Sequence, residues 1–207
     1  MQETYWTMRR QFKIETKSLV VERGDYTLLD ADAIVYYARH DLKLGSGFGG
    51  AISVRGGPTI QKELDSIKTP LQTCDVVVTG AGNLKAKFII HAVGPRFFEP
   101  ETEEKLRRTM RNCLMTAIEK GVGKVVFPAM GAGFYKVPLD MCARVMISEI
   151  SAHLRAHKKP EVVVVCLNDS REFEAFLSAS KDLGLCASQE AVSEAQGEVR
   201  VSRQVER

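Results

Sequence analysis

Several short runs in this chain are too apolar to have a solvent-facing side. They are DADAIVYYA (30–38), KFIIHAVGP (87–95), VGKVVFPAM (122–130) and EVVVVCL (161–167). A strand with one wet face alternates apolar and polar residues, and these runs do not. They predict strands buried on both faces, which requires a sheet covered by helices above and below. DVVVTGAG (75–82) is a further β-rich run, and FKIETKSLVVERGD (12–25) reads as one or two early strands.

The segments between these runs have helical spacing. Leu106, Met110, Cys113, Leu114, Ala117 and Ile118 recur at intervals that place them on one face, and Gly121 follows as a stop. A second helix is predicted from about Pro138 to His157, with Leu139, Cys142, Met146, Ile150 and Leu154 on one face. DSREFEAFLSA (169–179) predicts a last helix, with Asp169 as N-cap. Ala51 and Ile52 open a shorter helix that GGP (56–58) closes, and Pro58 suits the first turn of the helix PTIQKELDSIK. This alternation indicates an α/β domain with a mixed, mainly parallel sheet. The domain is expected over residues 13–184, after an N-terminal extension (1–12). A polar tail (185–207), poor in large apolar residues, is expected to be mobile and outside the core.

With 207 residues, 44% hydrophobic and 27% charged, the chain has enough apolar content for one full core. Its net charge of +3 does not by itself indicate a nucleic-acid partner. Five scattered cysteines without a CxxC pair read as buried reduced thiols, which suggests a cytoplasmic location. No metal-ligand spacing and no membrane-length apolar run occurs, so neither a metal site nor a membrane partner is expected.

Two glycine loops follow predicted strands. In such sheets ligands sit beyond the carboxyl ends of the strands. GSGFGGAI (45–52) contains Gly45, Gly47, Gly49 and Gly50, and GAGFYKVP (131–138) contains Gly131 and Gly133. Glycine lets backbone N–H groups approach a phosphate, and a following helix N-terminus adds a favourable dipole. Neither loop is a Walker A motif, since no Lys-Ser/Thr follows. Phe134 and Tyr135 offer flat faces for a ribose or base. Asp25, at the end of the second early run, is either a turn residue or an acceptor for an adenine amino group.

Taken together and in order, RGDYTLLDADAIV (23–35), LKLGSGFGGAI (42–52), GGPTIQKEL (56–64), VVTGAGNLKAKFIIHAVGP (77–95) and FPAMGAGFYKVP (127–138) resemble a macrodomain, the ADP-ribose-binding fold. The resemblance runs from about Lys13 to Ser180, and LKLGSG and VTGAGNL look most like the small bacterial members. It implies a three-layer α/β/α sandwich with an ADP-ribose cleft and no cofactor. By position, Asp25 and Tyr26 would contact adenine, with Asn168 flanking it. Gly47, Phe48, Gly49, Gly50 and Ala51 would wrap the diphosphate and distal ribose. Gly131, Ala132, Gly133 and Phe134 would close the other side, with Tyr135 near the distal ribose.

Two departures bear on catalysis. The family usually carries Asn-Ala-Ala-Asn after its Asp-Ala-Ile-Val strand, where this chain reads Tyr36-Tyr37-Ala38-Arg39, so Arg39 replaces the distal-ribose asparagine. Hydrolytic members often have an aspartate where this chain has Gly49. An arginine cannot serve as a general base at neutral pH. His40 and Asp41 beside the loop read as solvated residues rather than as an acid–base pair. The expected function is binding of ADP-ribose, a related adenosine diphosphate compound or an ADP-ribosylated protein, with weak or no hydrolysis. Two alternatives stay open: an ADP-ribosyl or O-acetyl-ADP-ribose hydrolase using a substrate-held water, and a binder of another nucleotide or of RNA.

Overall fold

The computed structural model describes residues 8–188. The early run is two strands, β1 (Arg9–Ile14) and β2 (Lys17–Arg23), paired antiparallel. The first strand therefore begins upstream of the expected boundary at residue 13. The buried runs become β3 (Ala33–Tyr37), β5 (Phe88–Ala92), β6 (Lys124–Phe127) and β7 (Val162–Leu167), and DVVVTGAG supplies β4 (Val76–Gly80). They form one seven-stranded sheet in the order β1-β2-β7-β6-β3-β5-β4. The strands from β2 to β5 in that order are mutually parallel. The two edges, β1 and β4, are antiparallel.

The helices are α1 (Phe48–Gly56), α2 (Thr59–Asp65), α3 (Thr102–Glu119), α4 (Leu139–Ala156) and α5 (Ser170–Asp182). α1 starts at Phe48 rather than Ala51, because Gly47 takes φ 63 and turns the chain into the helix earlier. α2 stops at Asp65, short of the expected Lys68. Asp169 caps α5 as expected, accepting from the Glu172 N–H at 2.8 Å.

The fold is a three-layer α/β/α sandwich. Strand alternation divides its interior in two. Val35, Ile90, Val125 and Val165 meet Met110, Leu114, Met146 and Ile150 of α3 and α4 on one face. Ile34, Ile89, Val126 and Val164 meet Ile52 of α1 and Ile60 and Leu64 of α2 on the other. Glu149 pins α4 to α3 through Arg107 (3.1 Å) and Arg111 (2.8 Å). At the amino ends of the strands, Asp32 accepts from the Gly123 and Lys124 N–H groups at 2.9 and 3.0 Å. It thereby fixes the approach of β6 to β3. The Lys87 ammonium and these N–H groups hold its carboxyl down at about 2.

Among the described residues no helix is long and apolar enough to cross a membrane, and no group of side chains could hold a metal ion. Cys74, Cys113, Cys142 and Cys166 are buried free thiols as expected, while Cys186 is exposed. Ala187 bridges to Phe12, and the Ser188 N–H donates to the Gln11 carbonyl at 2.8 Å. The chain thus stays on β1 through the first residues of the expected tail, and 189–207 lie outside the described residues.

His91 sits on β5, fully buried and opposite Tyr36 of β3. Its Nε2 meets the Thr79 hydroxyl at 2.8 Å and its Nδ1 has no partner among the described residues. Burial lowers its pKa to about 3. The unfolded chain, with an ordinary imidazole near 6.5, binds this proton more readily. Stability from the neutral ring is therefore complete above about pH 6.5 and is lost as the pH falls toward 3. Denaturant unfolding across this range should lose about 1.4 kcal/mol per pH unit from this group, and His91→Phe should flatten that slope. An unchanged slope in the variant would remove His91 as the cause.

Candidate functional site

A cleft of about 260 Å³ lies at the carboxyl ends of the parallel strands. Its floor comes from Tyr36 and Tyr37 of β3, Pro128 and Ala129 after β6, and Asn168 after β7. One wall is Gly45, Ser46, Gly47, Phe48 and Gly49, at the start of α1. The other is Gly131, Phe134 and Tyr135. Tyr26 and Arg39 complete the lining. The two glycine loops expected to share a ligand therefore do face one another.

Gly47 caps α1 without any side-chain hydrogen bond, so the first-turn N–H groups have no side-chain acceptor. They present partial positive charge at the cleft wall, the arrangement that favours an anionic ligand. The hydroxyls of Tyr36 and Tyr135 add further donors. Burial raises the pKa of Tyr26, Tyr36, Tyr37 and Tyr135, which keeps all four protonated at neutral pH. Tyr37 donates to the Pro95 carbonyl at 2.5 Å. The Tyr26 hydroxyl is buried without a partner among the described residues, and its ring meets Phe48 edge-on at 4.6 Å.

Tyr36 and Tyr37 point to opposite faces, as adjacent strand residues must. Each then governs backbone around the cleft. A Cβ on Gly49 would lie 2.5 Å from the Tyr36 hydroxyl, so position 49 has no room for a side chain. Tyr37 does the same from the other face, its ring filling the space over Gly94 and Gly131. The bulky strand end and the bare glycine at 49 are thus one feature. Sequence reasoning treated them as two.

The remaining expected residues divide clearly. Gly50, Ala51, Ala132 and Gly133 belong to the two loops without lining the cleft, and Asp25 adjoins it through Tyr26. Asp25 accepts from the Thr27 N–H (3.0 Å) and hydroxyl (2.6 Å), and its second oxygen accepts from Arg55 at 2.6 Å. Desolvation pushes its pKa up, but these bonds outweigh it and the net shift is downward. Asp25 is therefore ionised, and it also caps the short 3-10 turn at Tyr26–Leu28. Arg55 was not foreseen, because nothing in the sequence marks an exposed helix residue as a partner of a carboxylate one strand away.

Arg39 forms a two-pronged pair with Asp41, at 2.9 and 2.7 Å. That pairing holds Asp41 down at about 2 and raises Arg39 further. His40 turns away, its Nδ1–H donating to the Leu71 carbonyl at 2.7 Å. The two residues are not arranged as an acid–base pair.

The Macro domain family model matches residues 37–146. This chain belongs to the macro domain family. A protein of Sulfurisphaera tokodaii is 38% identical over 75% of this chain and 87% of its own length. A Pantoea vagans protein named O-acetyl-ADP-ribose deacetylase 1 is 33% identical over 78% of this chain and 97% of its own. Among solved structures, the Oceanobacillus iheyensis macrodomain with ADP superposes with a TM-score of 0.81. It is 27% identical, with 86% of this chain and 97% of that chain covered. A Trypanosoma brucei macrodomain in complex with ADP-ribose superposes at 0.72, with 26% identity over 77% of this chain and 68% of that one.

Helical Gly→Ala changes ordinarily stabilise by about 0.5–1 kcal/mol. In this macrodomain Gly49→Ala should instead destabilise by about 1–3 kcal/mol, through the clash with Tyr36. Tyr36→Phe should recover part of the loss, giving a coupling near 1 kcal/mol in a double-mutant cycle of denaturant unfolding. Additive effects would disprove the contact.

Proposed function

We propose that this macrodomain binds ADP-ribose, or a related adenosine diphosphate ligand free or attached to a protein, and hydrolyses it weakly or not at all. One observation carries the reading: among the described residues, the cleft lining contains no carboxylate and no imidazole. It supplies backbone N–H donors and the hydroxyls of Tyr36 and Tyr135, suited to a diphosphate and two ribose rings, and no group that could take a proton from water at neutral pH. Tyr36 occupies the space in which a side chain at 49 would have to stand.

In this reading Asp25 accepts from the adenine amino group at one end, sharing its charge with Arg55. The α1 N-terminus and the loop from Gly131 to Tyr135 take the two phosphates between them. Arg39 stands over the distal ribose end, where its guanidinium is fixed by Asp41. Binding of ADP by the Oceanobacillus macrodomain and of ADP-ribose by the Trypanosoma one supports this choice of ligand.

A second reading is hydrolysis by a water that the ligand's own phosphate holds. The likeness to the Pantoea protein named as a deacetylase favours it. Such a mechanism requires no side-chain base and would use the same donors to orient the ligand.

Calorimetry should give saturable binding of ADP-ribose, and de-ADP-ribosylation and deacetylation assays should give little or no turnover. No heat at millimolar ligand would sink the proposal, and rapid turnover would establish the second reading. Asp25→Ala should weaken binding by about 1–3 kcal/mol. A side chain at 133 meets nothing within 4 Å, so Gly133→Glu should fold normally. It should cut affinity at least ten-fold by setting a carboxylate against the phosphates. A melting curve like the parent's, beside unchanged affinity, would show that the second loop does not hold the diphosphate.

A further inference from the structure

Beyond Arg39 the cleft opens into a second, larger groove of about 500 Å³. Arg39, Phe134 and Tyr135 line both spaces, so the two are continuous. The groove's own residues include Arg96, Phe98 and Lys136. Arg96 and Lys136 are exposed, and neither makes an ion pair among the described residues. Phe98 is 85% exposed and Phe134 83%, two large apolar rings left in water.

These groups stand on a fixed frame. The Phe97 N–H donates to the Tyr135 carbonyl at 3.2 Å, which joins the loop after β5 to the second glycine loop. The Thr102 hydroxyl meets the carbonyls of Phe97 and Glu99, and the Glu99 carboxylate accepts from the Arg96 N–H at 3.2 Å. The same carboxylate is also held by Thr73 and Lys105. It is therefore committed to the frame and does not pair with the Arg96 side chain. Lys136 is held at φ 56 by its own N–H bond to the Gly133 carbonyl at 3.0 Å. Two unneutralised cations and two bare aromatic rings thus border one groove.

Cations alone would suit any anion. Flat, exposed rings beside them narrow the choice to a ligand that carries both phosphate and a planar face. That is the combination by which single-stranded nucleic acid is held, with bases on aromatic rings and the backbone along positive charge. A duplex keeps its base faces stacked inside and cannot use the phenylalanines. A glutamate-rich peptide has no aromatic ring to lay on them. We propose that this groove is a binding site for a single-stranded nucleic-acid end, with a base on Phe98 or Phe134 and its phosphates on Arg96 and Lys136.

Fluorescence anisotropy with a labelled single-stranded oligoadenylate about ten nucleotides long tests this. Binding should weaken with salt, with a log–log slope near −1.4 for about two phosphates. The double variant Arg96→Glu/Lys136→Glu should bind at least ten-fold more weakly, and Phe98→Ala at least five-fold. None of these residues lines the cleft, so calorimetry with ADP-ribose should give the parent's affinity for each variant. The proposal is overturned if the single strand does not bind, or if all variants bind it like the parent. It is equally overturned if the matching duplex or a glutamate-rich peptide binds as well as the single strand. Strand binding without ADP-ribose binding would sink the cleft reading alone.

Discussion

Strand β3 is buried on both faces in the middle of the sheet, and its strict alternation continues into the cleft. The last two residues of the strand are tyrosines, so one large ring emerges into each helix layer. Tyr36 packs beside His91 and under the start of α1. Tyr37 packs against Tyr135 and under the second glycine loop. Both rings press directly on main chain, which is why the backbone above them is glycine. The positions of the two loops, and the width of the cleft between them, follow from the size of these side chains.

The same contact decides what the first loop can carry. A smaller residue at 36 would leave space under the first loop for a side chain at 49. With tyrosine there, the loop keeps its N–H donors and has no side chain at 49. The cleft is then walled by backbone amide donors, with the un-ionised Tyr36 phenol at its floor. Charge is supplied at its two ends, by the Asp25–Arg55 pair beside Tyr26 and by the Arg39–Asp41 pair at the other side.

The sheet and its order of elements were legible because β3, β5, β6 and β7 are short, apolar on both faces and separated by helical spacing of Leu and Met. The glycine loops were legible as facing strand ends, and the match of the motif blocks fixed their pairing across the cleft. Helix starts were less so: α1 begins at Phe48 because of the backbone turn at Gly47, which propensity does not encode. The coupling of Tyr36 to Gly49 was invisible, since the residues are separated by a loop and neither pattern nor charge links them. Arg55 was missed for the same reason. Its carboxylate partner, Asp25, is far away in sequence and is reached only once α1 has packed on the sheet.

Gly49 and Gly131 are closed to side chains, whereas added side chains at Gly45 and Gly133 would meet open space. The rim of the pocket is therefore evolutionarily permissive, and single substitutions there can retune ligand preference without refolding the domain. The floor is not. A functional side chain can enter there only through a compensated exchange of tyrosine and glycine together, a two-step path whose intermediate is a strained protein. Descendants of this chain should vary more readily at the rim than at the floor.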